Sequence, residues 1–203
     1  MIALIDYGAG NLTSVRKALT ALGAHFVVPA SPEACASASA LIVPGVGNFA
    51  ATAALEGEWR DAIAAAVKSG TPLLGICLGM QWLFEGSDEA PEVRGLGTMP
   101  GRITRLQSDA AARLKVPHVG WNALTMSDRS SRILRGLPGG AAVYFTHSFA
   151  APVTADCVAS TSHGSTFASV VERDNIFGVQ FHPEKSGDAG LQILRNFVEA
   201  CGR

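Results

Sequence analysis

The sequence predicts an α/β fold: a mostly parallel central sheet flanked by helices, with additional antiparallel strands in the C-terminal half. Three observations predict it. From Ile2 to Phe84, short apolar runs alternate with segments of helical periodicity. After about Gly86, short strand patterns follow one another with turns between them, and an amphipathic helix ends the chain. Alternation of the first kind implies parallel strands with helices on both faces. Strand–turn–strand succession implies antiparallel pairing.

Taken in order, Ile2 to Tyr7 reads as a buried strand, and Gly8-Ala9-Gly10-Asn11 turns the chain. Asn11 or Thr13 can cap a helix whose Leu12, Val15, Leu19 and Leu22 share one face, with Gly23 ending it. The Gly-rich turn lacks both the dinucleotide fingerprint and a P-loop lysine, so it reads as a tight turn and not a phosphate cradle. Phe26 to Pro29 is a second strand, and Ser31-Pro32-Glu33 starts a helix with proline at its first position. Leu41-Ile42-Val43 is a third strand that runs into Pro44-Gly45-Val46-Gly47-Asn48-Phe49. Glu58 to Lys68 is an alanine-rich helix with Trp59, Ile63 and Val67 on one side. Pro72 to Ile76 is a fourth strand.

In the second half, the strand patterns are Gly101–Leu106, Trp121–Met126, Ala142–Phe149, Cys157–Thr161, Phe167–Glu172 and Ile176–Phe181. Arg173-Asp174-Asn175 forms a hairpin turn. Ala189 to Cys201 is the last helix, with Leu191, Leu194, Phe197 and Val198 inward. No linker or repeat interrupts the chain, so residues 1–203 are expected to form a single domain.

Composition narrows the function classes. The 203 residues can bury a sizeable core, and 48% of them are apolar. A net charge of −1 gives no electrostatic reason to expect nucleic acid or an anionic membrane as partner. No apolar run approaches the ~20 residues that span a bilayer. The opening MIALIDYG lacks the basic segment of a signal peptide. Cys35, Cys77, Cys157 and Cys201 are scattered without a C-x-x-C pair, which argues against a zinc site and fits a reducing cytosol. A cytoplasmic protein without metal or cofactor is the expectation.

One stretch carries chemistry. Gly75-Ile76-Cys77-Leu78-Gly79 is G-x-C-x-G between a buried strand and a helix-like segment, the thiol counterpart of the serine nucleophile elbow. A nucleophile lifted from so sharp a turn has a strained backbone, and neighbours without Cβ relieve the crowding. A helix start beside the sulfur favours thiolate, and the Leu78 N–H would face a developing oxyanion. The alternative is that Cys77 is simply packed as a small hydrophobe. A thiol nucleophile needs a base. Of His25, His118, His147, His163 and His182, the last stands apart, because Val179-Gln180-Phe181-His182-Pro183-Glu184 puts it beyond a buried strand with a carboxylate two residues on. His25 reads as surface or edge, and His163 as a solvated turn residue. On spacing alone, His182 and Glu184 suit a triad and a plain strand-end turn equally.

Together, GICLGMQ and VQFHPE resemble the class I (triad) glutamine amidotransferases. IDYGAGN, PGVG at 44–47, PHVGWN at 117–122 and FHPEKS at 181–186 are similar to the glutaminase subunits of imidazole glycerol phosphate synthase, a family of histidine biosynthesis. The resemblance runs from residue 2 to the final helix. It implies that Cys77 is the nucleophile, His182 the general base and acid, and Glu184 its orienter. It also implies an oxyanion strand at Pro44–Gly47 with Val46 and Leu78 N–H as donors, and glutamine held by Gly47, Gln81, His147, Ser148 and Phe149. Phe149 stands where relatives often have tyrosine. The implied partner is a (β/α)8-barrel cyclase/synthase subunit forming a heterodimer, docked near Asn11, Trp121, Asn122 and Lys185, and no metal or cofactor is implied. Ammonia would pass to that subunit, which makes imidazole glycerol phosphate and aminoimidazole carboxamide ribotide. Two other functions compete: a glutaminase feeding another synthase, such as pyridoxal phosphate synthase, and an inactive amidotransferase-like binding module.

Overall fold

The computed structural model describes residues 1–10, 12–108, 114–128 and 130–201. In the first half, β1 (Ile2–Leu4), α1 (Leu12–Ala21), β2 (Phe26–Val27), β3 (Ala40–Gly45), α2 (Glu58–Lys68), β4 (Leu73–Cys77) and α3 (Leu78–Trp82) follow one another. The second half contains β5 (Gly86–Ser87), β6 (Ala90–Arg94), β7 (Thr104–Arg105), β8 (His118–Ala123), β9 (Thr125–Met126), β10 (Ala142–His147) and β11 (Phe149–Ala150). It ends with β12 (Cys157–His163), β13 (Ser165–Arg173), β14 (Ile176–Val179) and α4 (Gly187–Ala200).

An eight-stranded sheet in the order β2-β1-β3-β4-β14-β13-β12-β9 organises the molecule. Neighbours from β2 to β14 pair in parallel, and those from β14 to β9 pair antiparallel. The expected change of pairing is therefore present, and β14 is its pivot. β1, β3, β4 and β14 are buried on both faces, and the side chains of β1, β3 and β4 divide by parity. Ile2, Leu4, Ile42, Leu74 and Ile76 join Val15, Leu19, Leu194 and Phe197 of α1 and α4 in one core. Ala3, Ile5, Leu41, Val43 and Leu73 join Ile63 and Val67 of α2 in the other.

Several elements differ from expectation in extent or type. The segment after Ser31 is a 3₁₀ helix over Pro32–Ser37 whose cap makes no side-chain hydrogen bond. Phe49–Leu55 forms another 3₁₀ helix, which carries no helical apolar stripe in the sequence; Asn48 Oδ1 caps it by accepting from Ala50 N–H. The Ala142–Phe149 pattern breaks at Ser148 into β10, paired with β8, and β11, paired with β7. Asp174 takes φ 50° in the β13–β14 turn, as a tight hairpin requires. Asn11 lies outside the described residues. Among the described residues, no helix is long and apolar enough to cross a membrane.

Candidate active site

The site forms at the C-terminal ends of β3, β4 and β14, where ligands of open α/β sheets bind. Cys77 ends β4 and has φ 53°, a left-handed conformation strained for a residue with a Cβ. The flanking glycines are required by contact. A Cβ on Gly75 would lie 2.6 Å from the Gly79 carbonyl oxygen, and one on Gly79 would lie 1.8 Å from the Val43 carbonyl oxygen. Leu78 opens α3, so its N–H has no partner within that helix.

His182 follows β14 and is 2% exposed. Its Nδ1 lies 2.9 Å from Glu184 Oε1, which as an acceptor fixes the proton on Nδ1 and turns Nε2 toward the sulfur's side. The backbone holds the ring in place at both ends. His182 N–H donates to the Tyr144 carbonyl at 2.9 Å, and Ser186 Oγ donates to the His182 carbonyl at 2.6 Å. Ser186 Oγ in turn accepts from Tyr144 N–H. Burial disfavours the imidazolium. The nearby Cys77 sulfur and the hydrogen-bonded Glu184 carboxylate outweigh that and lift His182 to about 9. His182 Nε2 nevertheless has no hydrogen bond of good geometry. The sulfur thus stands beside the ring without being aligned with it, an arrangement that catalytic groups tighten when substrate arrives.

A cavity of about 310 Å³ opens beside the sulfur, lined by Gly47, Cys77, Leu78, Gln81, Glu89, Thr146, His147, Ser148 and Phe149. All five residues expected to hold glutamine are therefore among its walls. Gln81 lies on the α3 face next to Cys77, and its Nε2 donates to the Phe149 carbonyl at 2.9 Å and to Gln180 Oε1 at 3.1 Å. The Phe149 carbonyl is thus the group in use, and the missing phenol hydroxyl removes nothing from this bond.

The Val46 N–H, a candidate oxyanion donor, is turned away from Cys77 in the chain by itself. It donates to the Ala9 carbonyl at 2.6 Å, so it is committed away from any oxyanion at Cys77. The turn after β3 lies against the Gly8–Gly10 turn, which brings the Ala9 carbonyl within reach of this N–H. His163 is a correction. It is half-buried, stacks on His118 at 4.1 Å between centroids, and its Nε2 lies 2.8 Å from the Lys115 carbonyl.

Three residues of the site had no signal in the sequence. Gln180 is fully buried, and its Nε2 lies 3.7 Å from the Cys77 sulfur. Glu89 accepts from Phe49 N–H at 2.8 Å while lining the cavity. Among the described residues the Tyr7 hydroxyl is buried without a partner, against Gly45, where a Cβ would meet it at 2.0 Å. Burial, and then the charge of Cys77, raises the Tyr7 pKa. Of the residues expected to meet a partner, Trp121 is 59% exposed and packs edge-to-face on Tyr144; Lys185 is exposed and Asn122 half-buried.

A family model described as "Glutamine amidotransferase class-I" matches residues 3–201. Fold and site thus define a class I glutamine amidotransferase. The imidazole glycerol phosphate synthase subunit HisH of Gloeobacter violaceus is 47% identical over 203 residues, covering 98% of this chain and 88% of that one. The subunit of the same name from Methanothermobacter thermautotrophicus is 46% identical over 201 residues, covering 98% of each. A crystal structure of a glutamine amidotransferase superposes with a TM-score of 0.74 at 21% identity, covering 100% of this chain and 99% of that one, which speaks for the fold alone. The chain belongs to the class I glutamine amidotransferases and, within them, to the HisH family of imidazole glycerol phosphate synthase subunits.

Proposed function

We propose that this protein hydrolyses glutamine to glutamate and ammonia through Cys77, His182 and Glu184, and delivers the ammonia to a (β/α)8-barrel synthase subunit in a heterodimer. That subunit makes imidazole glycerol phosphate and aminoimidazole carboxamide ribotide in histidine biosynthesis. The observation that carries the reading is the strained Cys77 elbow beside the His182–Glu184 pair, opening on one small cavity. At the lower end of the ~300–1,000 Å³ typical of ligand clefts, that cavity suits a single amino acid.

The chemistry follows from the groups present. The proton of the Cys77 thiol resides on His182 as imidazolium, and the thiolate attacks the carboxamide carbon. The resulting oxyanion faces the Leu78 N–H, with Val46 as second donor once its bond to Ala9 is broken. His182 Nε2 then protonates the departing ammonia and leaves a thioester on Cys77. Water activated by His182 hydrolyses the thioester and releases glutamate. Glu184 holds the tautomer throughout. The Glu89 carboxylate complements the α-ammonium of an amino-acid substrate.

Trp121, Asn122 and Lys185, with Asn11, are assigned to the partner interface, because a large exposed aromatic is a typical anchor. Residues 1–203 are read as a single amidotransferase domain of a cytoplasmic enzyme, supported by one sheet that joins both halves. The deciding experiment measures glutamine hydrolysis with and without the barrel subunit, for the wild type and Cys77→Ala. The wild-type complex should turn over and the variant complex should not. Undiminished turnover by Cys77→Ala would end the catalytic assignment.

A further inference from the structure

We propose that His118 and His147 form a neutral, one-way hydrogen-bond relay that braces the Ser148–Phe149 wall of the cavity from β8, making His118 a positioning residue for glutamine binding. The inference rests on reading that cavity as the glutamine site.

The two histidines face each other across the β8–β10 pair, and both are almost fully buried. His147 Nδ1 lies 2.9 Å from the Phe149 carbonyl, which can only accept, so the proton sits on Nδ1. Nε2 of the neutral ring is then a lone pair. His118 Nδ1, 3.1 Å away, must therefore carry a proton and donate it. His118 Nε2 is in turn the acceptor facing Asn122 Nδ2, at 3.4 Å.

Independent bonds fix both ends. Asn122 Oδ1 accepts from Ala123 N–H at 2.8 Å, and its Nδ2 donates to the Ser162 carbonyl at 3.1 Å, which sets the amide orientation. At the other end the Phe149 carbonyl also receives Gln81 Nε2. No orientation in the chain is left free, and only the neutral forms satisfy it, since a proton on both nitrogens of His147 would set two N–H groups against each other. Burial enforces neutrality. It lowers His118 to about 4, with the charge of stacked His163 adding to it. It lowers His147 to about 3; the Phe149 carbonyl opposes this, and the charges of His118, His163 and His182 add to it. The relay makes no direct hydrogen bond to Cys77, His182 or Glu184 and reaches the sulfur only through Gln81 and Gln180. Its loss should loosen substrate binding and spare the chemical step.

Two measurements test this. Nitrogen-15 NMR of the imidazoles in the intact wild-type chain should find both His118 and His147 protonated on Nδ1 between pH 5.5 and 8. A His147 proton on Nε2 would overturn the relay without any variant. In complex with the barrel subunit, His118→Phe should raise the KM for glutamine about tenfold, the scale of one lost buried hydrogen bond, with kcat within about twofold. His118→Gln, which keeps an N–H donor, should recover part of the loss. A KM unchanged in His118→Phe would refute the relay while leaving the glutaminase reading intact. Absence of glutamine turnover in the wild-type complex would sink that reading instead, and the NMR result would still decide the tautomers.

Discussion

The backbone N–H of Val46 donates to the carbonyl of Ala9, 2.6 Å away, and so faces the Gly8–Gly10 turn and not the nucleophile. In the proposed mechanism, Leu78 N–H stands ready as one oxyanion donor, and Val46 N–H, the second, has to rotate into place. Glycines at 45 and 47 make that rotation accessible.

The isolated protein should accordingly be a poor glutaminase. One missing oxyanion donor is worth about 10²–10³ in kcat. Steady-state assays should show a gain of that order when the barrel subunit and its ligand are added. Equal turnover with and without them would mean that the Val46 bond does not limit activity.

The elbow glycines should tolerate no side chain. In Gly79→Ala the new methyl would lie 1.8 Å from the Val43 carbonyl oxygen, a rigid backbone atom. The strain should cost about 1–3 kcal/mol, read as a lower urea midpoint, together with loss of glutaminase activity in the complex. A folded, fully active Gly79→Ala would contradict the contact.

The pH dependence has a definite sign. His182 is raised from its ordinary 6.5 to about 9, so its charged form stabilises the fold fully below pH ~6.5, and that contribution is lost as pH rises through about 9. It is worth on the order of 3 kcal/mol. Denaturant unfolding between pH 6 and 10 should show the wild type losing more stability than His182→Gln. The alkaline limb of glutamine turnover in the complex should fall near pH 9, where the proton for departing ammonia disappears. Parallel stability curves for the two proteins would count against the assignment.

Tyr7→Phe should stabilise the protein. The hydroxyl is buried and unpaired, and removing an unsatisfied polar group gains about 1 kcal/mol. A higher melting temperature of the variant checks this. A lower one would mean that the hydroxyl has a partner in solution.

The parts of the molecule that could be read from sequence are those set by local pattern. α2 begins and ends at Glu58 and Lys68 as its apolar face implies, and the Cys77 elbow follows from two glycines whose contacts are now visible. Glu184 could be read because it lies two residues from the ring it orients. What was illegible depends on partners distant in the chain. Gln180 looks like any strand residue until Gln81 and the Cys77 sulfur are beside it. His163 passes for a turn residue until His118 stacks on it. The direction of the Val46 N–H is a property of one peptide plane between glycines, which side-chain identities do not encode.

The central sheet ends at both sides in strands only two residues long, β2 and β9. Strands this short themselves offer little backbone ladder for another polypeptide to extend. The proposed partner would then recognise the surface by the shape and polarity of projecting side chains, with the exposed Trp121 as the anchor proposed above.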